Sequence, residues 1–515
     1  MLYITLNGGS AVASPSTESI LPKERLKFKG TLVALLAVFA GGAGLRIWYY
    51  AANVSLFFDE CALAINVHYR TYAALSQRLD YDQAAPLGFL FMLKALTGSL
   101  GFNEHVLRLV PLISGLVAIA LFYMLTRHIF SGWALVAVNL LMCFNQLAIS
   151  YCAQTKQYSL ELMIAVLMLL LSRPLFDPNC RSRVFWINSV ALGFLPWFSF
   201  TAVFMLAGIG LTLVLGQIWN PREGGFRRTA GALLLFAVLF VPIYLFSIRP
   251  GMGNPVLRTM WTPEYFPIHA LSEAPLWMIR KMHEVCVLTF SNGLWSIAAA
   301  IGIICGLAAT ILRRNLLIVA ATGGALACFG ATVLQRYPFI GRFLLFLTPT
   351  FILLLVAGYQ WLSTVLPRRV RIGSDVIAAV ALLWCFMSAV KAYVVPPPLL
   401  DEPLKALQFV RAHWETGDRM YATPLASPCV IYYGSKPGWP SWHPVLNVLA
   451  VDGAQHIPST LTVPVLPGRD WLIVSRTDWQ TRGESVPVRE YFDSRGTPLA
   501  RKDEEWTTAM LYQVR

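Results

Sequence analysis

Apolar runs of about twenty residues recur along this chain and constrain its fold more than any other feature. A run of about 20 apolar residues crosses the hydrocarbon core of a bilayer as a helix. Inside the hydrocarbon every backbone N–H and C=O needs a partner within the chain, and a helix supplies it. Of the 515 residues, 56% are hydrophobic and only 13% are charged, whereas a soluble domain carries roughly 25% charged residues. The sequence therefore predicts an α-helical polytopic membrane protein.

The charge pattern supports this class and argues against a nucleic-acid-binding protein. The net charge is +14, but the basic residues form short clusters between the apolar runs, as membrane topology requires, rather than one basic domain. The nine cysteines are scattered and have no metal-ligand spacing. We therefore expect them to pack as small residues, without a disulfide framework.

We predict about eleven spans, with the N-terminus in the cytoplasm. This topology places the basic clusters, from Arg127 to Arg371, on the cytoplasmic side, as the positive-inside rule requires. The same rule divides residues 184–219 into two short spans at Pro196. The first run is too long for a signal peptide and contains Arg46, so we expect it to be retained. The predicted spans are Thr31–Tyr50, Val106–Phe130, Trp133–Tyr151, Thr155–Leu171, Val184–Trp197, Ala202–Trp219, Ala230–Ile248, Leu294–Leu312, Leu316–Leu334, Phe343–Leu362 and Val376–Val395.

Three parts of the chain follow from this topology. Residues 1–30 form a cytoplasmic tail, and residues 31–395 form the transmembrane domain, which includes large outer loops at 51–105 and 249–292. Residues 396–515 are less hydrophobic and are predicted to form a small extracytoplasmic α/β domain. Its predicted elements are a helix at Glu402–Trp414 and strands at Arg419–Thr423, Trp471–Ser475 and Ala509–Val514.

Two adjacent carboxylates, Asp59 and Glu60, follow the first span between aromatic and apolar residues. Partial desolvation is expected to raise the pKa of such carboxyl groups, and one of them could act as a general base on a hydroxyl. The alternative is structural, with Asp59 as the N-cap of a helix over Glu60–Leu75. The two interpretations are compatible, because a helix N-terminus can also present a catalytic carboxylate.

Further ionisable residues lie at the predicted outer ends of the spans. Lys156 lies at the outer end of the fourth span, and Arg336 and Arg342 precede the tenth. Ionisable groups at membrane depth are costly, so they are candidates for function; for the two arginines the alternative is snorkelling at a helix end. Glu161 lies within the fourth span, either as a partner for Lys156 or as a second acid in a site.

The order of several short motifs along this topology resembles integral-membrane glycosyltransferases of the GT-C superfamily, especially the bacterial family-39 and family-83 type enzymes. The motifs that carry the resemblance are Asp59-Glu60, Gln83-x-x-Pro86-Leu87, Gly101-x-x-Glu104-x-x-x-Arg108 and Tyr151-x-x-x-x-Lys156-Gln157-Tyr158-Ser159-Leu160.

The resemblance implies that Asp59 is the base or acceptor-site residue, with Glu60 as the adjacent acid. Two departures concern the carrier phosphate and the second motif. Related enzymes often have Glu-Lys-Pro-Pro where this chain has Gln83-Ala84-Ala85-Pro86, which removes a lysine. They often have Glu-Ala-Arg-Pro-Tyr where this chain has Gln154-Thr155-Lys156-Gln157-Tyr158.

The implied activity is transfer of a monosaccharide from a polyprenyl-phosphate carrier to a glycan, lipid or protein acceptor, with inversion, at the outer face of a bacterial plasma (inner) membrane. A phosphate is a good leaving group, so the reaction needs one carboxylate for the acceptor proton and cations for the phosphate, not the acid/base pair of a glycoside hydrolase. The predicted catalytic residues are Asp59 and Glu60, and the predicted substrate-binding residues are Gln83, Lys156, Tyr158, Glu161, Arg336 and Arg342.

Other functions stay open from the sequence alone. A transporter or flippase of lipid-linked saccharides accounts for the spans but not for the long outer segments. A ligase that moves whole glycans from a diphosphate carrier, or a scaffold that binds through its tail, also fits the topology. Arginine and lysine can balance the charge of a monophosphate carrier without a cofactor; a divalent cation held by Asp59 and Glu60 is an open alternative.

Overall fold

The computed structural model describes residues 22–221, 224–252, 255–290, 295–394, 403–423, 425–440, 446–448, 467–475, 485–504 and 507–515. Most of the predicted cytoplasmic tail, together with Arg222 of one basic cluster, lies outside these residues.

The first part of the chain consists of helices. In chain order they are α1 (Pro22–Ala51), α2 (Phe58–Tyr69), α3 (Leu87–Leu100), α4 (Glu104–Thr126), α5 (Gly132–Cys143), α6 (Gln146–Tyr151), α7 (Tyr158–Phe176), α8 (Ser182–Phe194), α9 (Ala202–Trp219), α10 (Gly225–Ile243), α11 (Arg249–Met252), α12 (Pro255–Met260), α13 (Ala274–Phe290), α14 (Ser296–Arg313), α15 (Leu316–Val333), α16 (Thr348–Val365) and α17 (Arg368–Val394). Short 3₁₀ segments cover Ala74–Ser76, Leu195–Trp197, Thr262–Glu264, Leu271–Glu273 and Gly341–Leu347, and a π-helical segment covers Tyr244–Ile248.

This helical part confirms a multi-pass membrane architecture. Within the described residues, nine helices are long and apolar enough to cross a membrane. Each of the eleven predicted spans overlaps helical structure within the described residues, outside which Leu294 and Val395 lie, but two of the spans are short. The predicted span Trp133–Tyr151 is divided between α5 and α6, and Val184–Trp197 comprises α8 and a single 3₁₀ turn at Pro196.

The break between α5 and α6 explains the charge in the first span. The Arg46 side chain is fully buried and donates hydrogen bonds to the carbonyl oxygens of Cys143, at 2.7 Å, and Met142, at 3.3 Å. These carbonyls lie at the end of α5, where the helix leaves them without partners. Asn145 then caps α6 by accepting from the Ala148 N–H at 2.9 Å. Arg46 therefore stabilises a helix break inside the bundle.

Glycines bring two helix pairs into close contact, as is typical of helix packing in membranes. On α9, a Cβ added to Gly208 would lie 2.3 Å from the backbone nitrogen of Gly324 on α15. On α16, a Cβ added to Gly358 would lie 2.0 Å from the carbonyl oxygen of Gly302 on α14. Any larger residue at these positions would separate the helices.

The predicted cytoplasmic turns meet at one end of the bundle. Arg173, at the end of α7, contacts the His128 ring across 3.0 Å. Arg228, in α10, donates to the Cys180 carbonyl at 3.2 Å. The chain order then places α2, α3, α6 and the start of α16 at the opposite end.

The C-terminal part is a mixed α/β domain, as predicted. Its elements are α18 (Pro403–His413), β1 (Arg419–Ala422), α19 (Ser427–Gly434), β2 (Leu446–Val448), β3 (Gly468–Ser475), α20 (Ser485–Arg495), β4 (Gly496–Asp503) and β5 (Thr507–Val514). The strand order is β2-β1-β3-β5-β4; β1 pairs in parallel with β2 and β3, and the remaining pairs are antiparallel.

Side chains of the sheet alternate between two apolar cores, as the period of a strand requires. On β3, Trp471 and Ile473 face the core that contains residues of α18 and α19. Leu472 and Val474 face the other core, which contains Phe492 of α20. The first core also includes Leu56 and Cys61, so it joins the domain to the first outer loop.

Candidate active site

The first outer loop presents its two carboxylates on the first turn of α2. Phe57 is the N-cap and has an extended backbone, and the helix ends at Tyr69. The prediction that Asp59 caps a helix reaching Leu75 is therefore wrong. Because successive helical residues point about 100° apart, Asp59 and Glu60 contact different parts of the molecule.

The Asp59 carboxylate lies among three side chains from distant parts of the chain. The Arg342 Nη1 donates to its Oδ2 at 2.9 Å, and the Gln83 Nε2 lies 3.4 Å from its Oδ1. The Lys156 Nζ lies 3.8 Å from Oδ2. The side chain of Asp59 is 18% exposed, so it reaches solvent while it contacts two cations.

Gln83 and Lys156 form the second half of this cluster. Lys156 lies in the turn between α6 and α7, is buried and donates to the Gln83 Oε1 at 2.7 Å. The Gln83 amide nitrogen also donates to the Tyr81 carbonyl at 3.1 Å, which fixes the amide orientation. The neutral amide of Gln83 therefore makes charge-assisted hydrogen bonds to both the lysine and the carboxylate.

Arg342 begins the segment that leads into α16, and aromatic rings surround it. Its guanidinium carbon lies 5.5 Å from the Phe343 ring centre, 5.6 Å from Trp261 and 6.0 Å from Tyr158. Cation–π contacts of this kind hold a guanidinium while leaving its N–H groups free to donate. Nearby, Lys281 pairs with Glu264, whose carbonyl accepts from the Phe339 N–H at 3.1 Å; these contacts restrain the loop before Arg342.

Glu60 is engaged on both oxygens and is only 1% exposed. The Arg108 guanidinium donates from Nε at 3.1 Å and from Nη2 at 2.9 Å. The Thr155 N–H donates to the same carboxylate at 2.6 Å. This bidentate pair, a strong and directional contact, joins α2 to α4 and to the turn that carries Lys156.

Asp59 and Lys156, both outside the membrane-spanning helices, have strongly shifted pKa values. Burial raises the pKa of Asp59, but Lys156 and Arg342 lower it by more, so that it falls to about 2. The prediction that desolvation raises it was wrong, because the neighbouring cations dominate. Burial lowers the pKa of Lys156 to about 8, with Arg342 adding to the effect and Asp59 opposing it.

The structure leaves two predicted site residues apart from this cluster. Arg336 is exposed, and no hydrogen bond or ion pair found in the described residues joins it to Asp59. Glu161 is buried and lies against the backbone amides of Phe200 and Thr201, whereas Lys156 faces Asp59. The predicted Lys156–Glu161 partnership is therefore wrong. Tyr158 lies next to Arg342, as described above.

Two contacts of the site were missed or only partly seen in the sequence. Trp261 lies beside Arg342 but belongs to a loop without a distinctive motif. Arg108 was part of a recognised motif, yet its pairing with Glu60 needs the fold. Across the described residues, no group of three or more His, Cys, Asp or Glu side chains could hold a metal ion.

A shallow cleft begins at Gln83 and separates the first outer loop from the segment after α10. Its walls include Ala84, Phe246, Ser247 and Gly251. The Ala84 carbonyl accepts from the Nε2 of buried Gln157 at 3.5 Å, and the side-chain oxygen of Gln157 has no hydrogen-bond partner in the described part of the chain. Of the cluster around Asp59, Gln83 reaches this cleft.

Solved structures share this fold over nearly its whole length. ArnT from Cupriavidus metallidurans in the apo state superposes with a TM-score of 0.53 and 14% identity, covering 94% of this chain and 98% of that chain. The same protein bound to undecaprenyl phosphate gives 0.51 and 12%, with the same coverage. An oligosaccharyltransferase from Archaeoglobus fulgidus, in complex with Zn and sulfate, gives 0.51 and 13%, covering 93% of this chain and 72% of that chain.

No protein-family model matches the sequence, and no curated protein matches it. At such low identity the structural likeness establishes the fold alone. That fold is the GT-C type expected from the order of the motifs.

Proposed function

We propose that this protein is a glycosyltransferase that moves a monosaccharide from a polyprenyl-phosphate carrier to an acceptor hydroxyl at the outer face of the membrane. One observation carries the proposal: a single partly exposed carboxylate, Asp59, lies within 3.8 Å of two cations, Lys156 and Arg342. This is the combination that the reaction needs. In support, one solved protein of the same fold is bound to undecaprenyl phosphate.

The proposed reaction is a single displacement. The acceptor oxygen bonds to the anomeric carbon, and the bond from that carbon to the phosphate oxygen breaks. The electron pair leaves with the carrier phosphate, which changes from a monoanionic diester to a dianionic monoester. The acceptor proton passes to Asp59, and Lys156 and Arg342 stabilise the extra charge on the phosphate. One displacement inverts the anomeric centre.

Binding of the donor is expected to change the basicity of Asp59. A carboxylate with a pKa of about 2 is a weak base, whereas an efficient base has a pKa near the working pH. When a donor phosphate binds Lys156 and Arg342, it competes with Asp59 for both cations. The pKa of Asp59 then rises, so the base becomes stronger only when the donor is present.

The other polar residues of the cluster have supporting roles in this proposal. Gln83 orients Lys156 and Asp59 through its amide, and Tyr158 packs beside the Arg342 guanidinium. Glu60, with both oxygens engaged by donors, is a positioning residue that holds the first turn of α2 against α4. Among the described residues, no hydrogen bond or ion pair joins Arg336 or Glu161 to Asp59, Lys156 or Arg342, so neither is assigned a role in the transfer.

The charge of the cluster favours a monophosphate carrier. Two cations and one carboxylate, Lys156, Arg342 and Asp59, give a net charge of +1, which matches a monoanionic phosphodiester. A diphosphate carrier has more negative charge than this cluster neutralises. The positive-inside rule further supports a bacterial plasma membrane orientation with the N-terminus in the cytoplasm and the C-terminal domain outside.

Purified protein in detergent tests this function directly. It is incubated with undecaprenyl-monophosphate and undecaprenyl-diphosphate sugars, with envelope extract as the acceptor, and free carrier lipid is measured by thin-layer chromatography. The proposal expects release of undecaprenyl phosphate from the monophosphate donors. Release from the diphosphate donors alone supports a ligase. After reconstitution into proteoliposomes, movement of the donor across the membrane without release of the carrier lipid supports a flippase. Activity that survives chelation excludes an essential divalent cation.

The activity should fall at alkaline pH, because Lys156 loses its charge. Asp59 stays ionised well below neutral pH, so kcat/KM is expected to be flat from about pH 5 to 7. It should then decline as the pH rises through about 8, the pKa of Lys156. Substitution Lys156→Met should lower kcat/KM by about 10- to 100-fold, which corresponds to the free energy of one hydrogen bond to a charged group. It should also abolish the decline of kcat/KM at alkaline pH.

The matched control is Lys94→Met, since Lys94 donates to the Val67 carbonyl at 2.9 Å outside the cluster. This variant should keep both the activity and the alkaline decline. A decline that persists in Lys156→Met would assign the titrating group elsewhere.

A further inference from the structure

The C-terminal domain packs on the first outer loop at a point close to the acidic pair. Helix α19 lies against α2, and Leu56, Cys61 and Ile65 share one apolar core with Val430 of α19. A domain that only covered a cleft would not need its core to include the loop before Asp59. The contact therefore restrains the segment that carries the Asp59 carboxylate.

One hydrogen bond links the domain to the backbone of that loop. The Tyr433 hydroxyl accepts from the Leu56 N–H at 2.9 Å, and Tyr433 is only 1% exposed. Leu56 is three residues before Asp59, in the irregular segment that leads from α1 into α2. A backbone donor buried in such a segment needs a partner, and here the C-terminal domain supplies it.

A second contact links the same helix region to α4. Lys436 pairs with Glu104 in the first turn of α4, one turn before Arg108. The Lys436 ammonium also lies 4.8 Å from the Tyr432 ring centre and 5.1 Å from that of Tyr433. The domain thus contacts both segments that the Glu60–Arg108 ion pair joins.

We propose that Tyr433 is a positioning residue, through which the C-terminal domain clamps the first outer loop so that Asp59 faces Lys156 and Arg342. The catalytic consequence rests on the proposed function; the clamp itself does not. Loss of the Tyr433 hydroxyl frees the Leu56 N–H and loosens the first turn of α2. Asp59 then spends less time beside its two cations.

The chain provides a matched pair of variants. Tyr433→Phe removes the hydroxyl that accepts from Leu56, and Tyr432→Phe removes a buried hydroxyl that has no hydrogen-bond partner within the described residues. Hydrogen exchange measured by mass spectrometry on peptides covering residues 54–61 should be about 2- to 10-fold faster in Tyr433→Phe, the value of one hydrogen bond. Exchange in Tyr432→Phe should match the wild type.

Kinetics of the full-length variants complete the test. Tyr433→Phe should lower kcat several-fold with little change in the KM for the donor, and should move the acid side of the pH profile upward. Lys436→Met should reproduce the effect if Tyr433→Phe folds poorly. Unchanged exchange at residues 54–61, or faster exchange with unchanged kcat and pH profile, overturns the proposal. Wild-type protein without transfer from any polyprenyl-phosphate sugar, together with faster exchange in the variant, overturns the proposed function and leaves the clamp intact.

Discussion

Asp59→Asn is expected to lower kcat by about 10²- to 10⁴-fold, the usual contribution of a general base. Asparagine keeps the shape of the side chain and an oxygen that accepts from Arg342, which lies 2.9 Å away in the wild type. It cannot take the acceptor proton. The measurement is carrier release at saturating donor, with folded protein checked by size-exclusion chromatography.

Asp80→Asn is the matched control for this substitution. Asp80 lies in the same outer loop and pairs with Arg70 at 2.7 Å, but its side chain is 60% exposed, and exposed pairs contribute little to stability. This variant should transfer sugar at the wild-type rate. If Asp59→Asn retained more than about a tenth of the wild-type kcat, Asp59 would not be the base.

Glu60→Gln is expected to destabilise the protein by about 3–5 kcal/mol, the typical cost of removing one partner of a buried ion pair. The glutamine amide fits the same space and still accepts from the Thr155 N–H. The Arg108 guanidinium, however, is only 3% exposed and would be left without a counter-charge. Thermal unfolding in detergent, compared with wild type, measures the effect.

A double variant separates charge from shape at this pair. Glu60→Gln combined with Arg108→Met removes both buried charges, and most of the lost stability should return, because no unpaired ion remains. A Glu60→Gln protein that unfolds within about 1 kcal/mol of wild type would show that the pair does not hold α2 to α4.

The fold was predictable because its main determinant is local. Apolar runs of spanning length identify helices without any knowledge of contacts. The charges between the runs predict on which side of the membrane each connecting turn lies. The two exceptions, α5–α6 and α8, are interrupted at Phe144 and after Phe194. The contact between Arg46 and the end of α5 joins residues 97 positions apart, so the sequence could not place it.

The site was predictable only as a set of residue types. The motif order identified Asp59, Gln83 and Lys156, the outer end of the tenth span identified Arg342, and the fold brings these four residues together. The separate contacts of Asp59 and Glu60 were not visible, because their partners Arg342 and Arg108 are 283 and 48 residues away. The same separation explains why the predicted direction of the Asp59 pKa shift was wrong. The apolar neighbours of Asp59 in the sequence indicate burial, but the cations that lower its pKa by more are distant in the sequence.

In the proposed mechanism, Lys156 and Arg342 bind the donor phosphate beside the Asp59 carboxylate. A structure determined by electron cryomicroscopy with undecaprenyl phosphate bound tests it most directly. We expect phosphate oxygens about 3 Å from the Lys156 Nζ and the Arg342 guanidinium, with the Asp59 carboxylate released from Arg342. A phosphate bound elsewhere, with Asp59 still paired to Arg342, would contradict it.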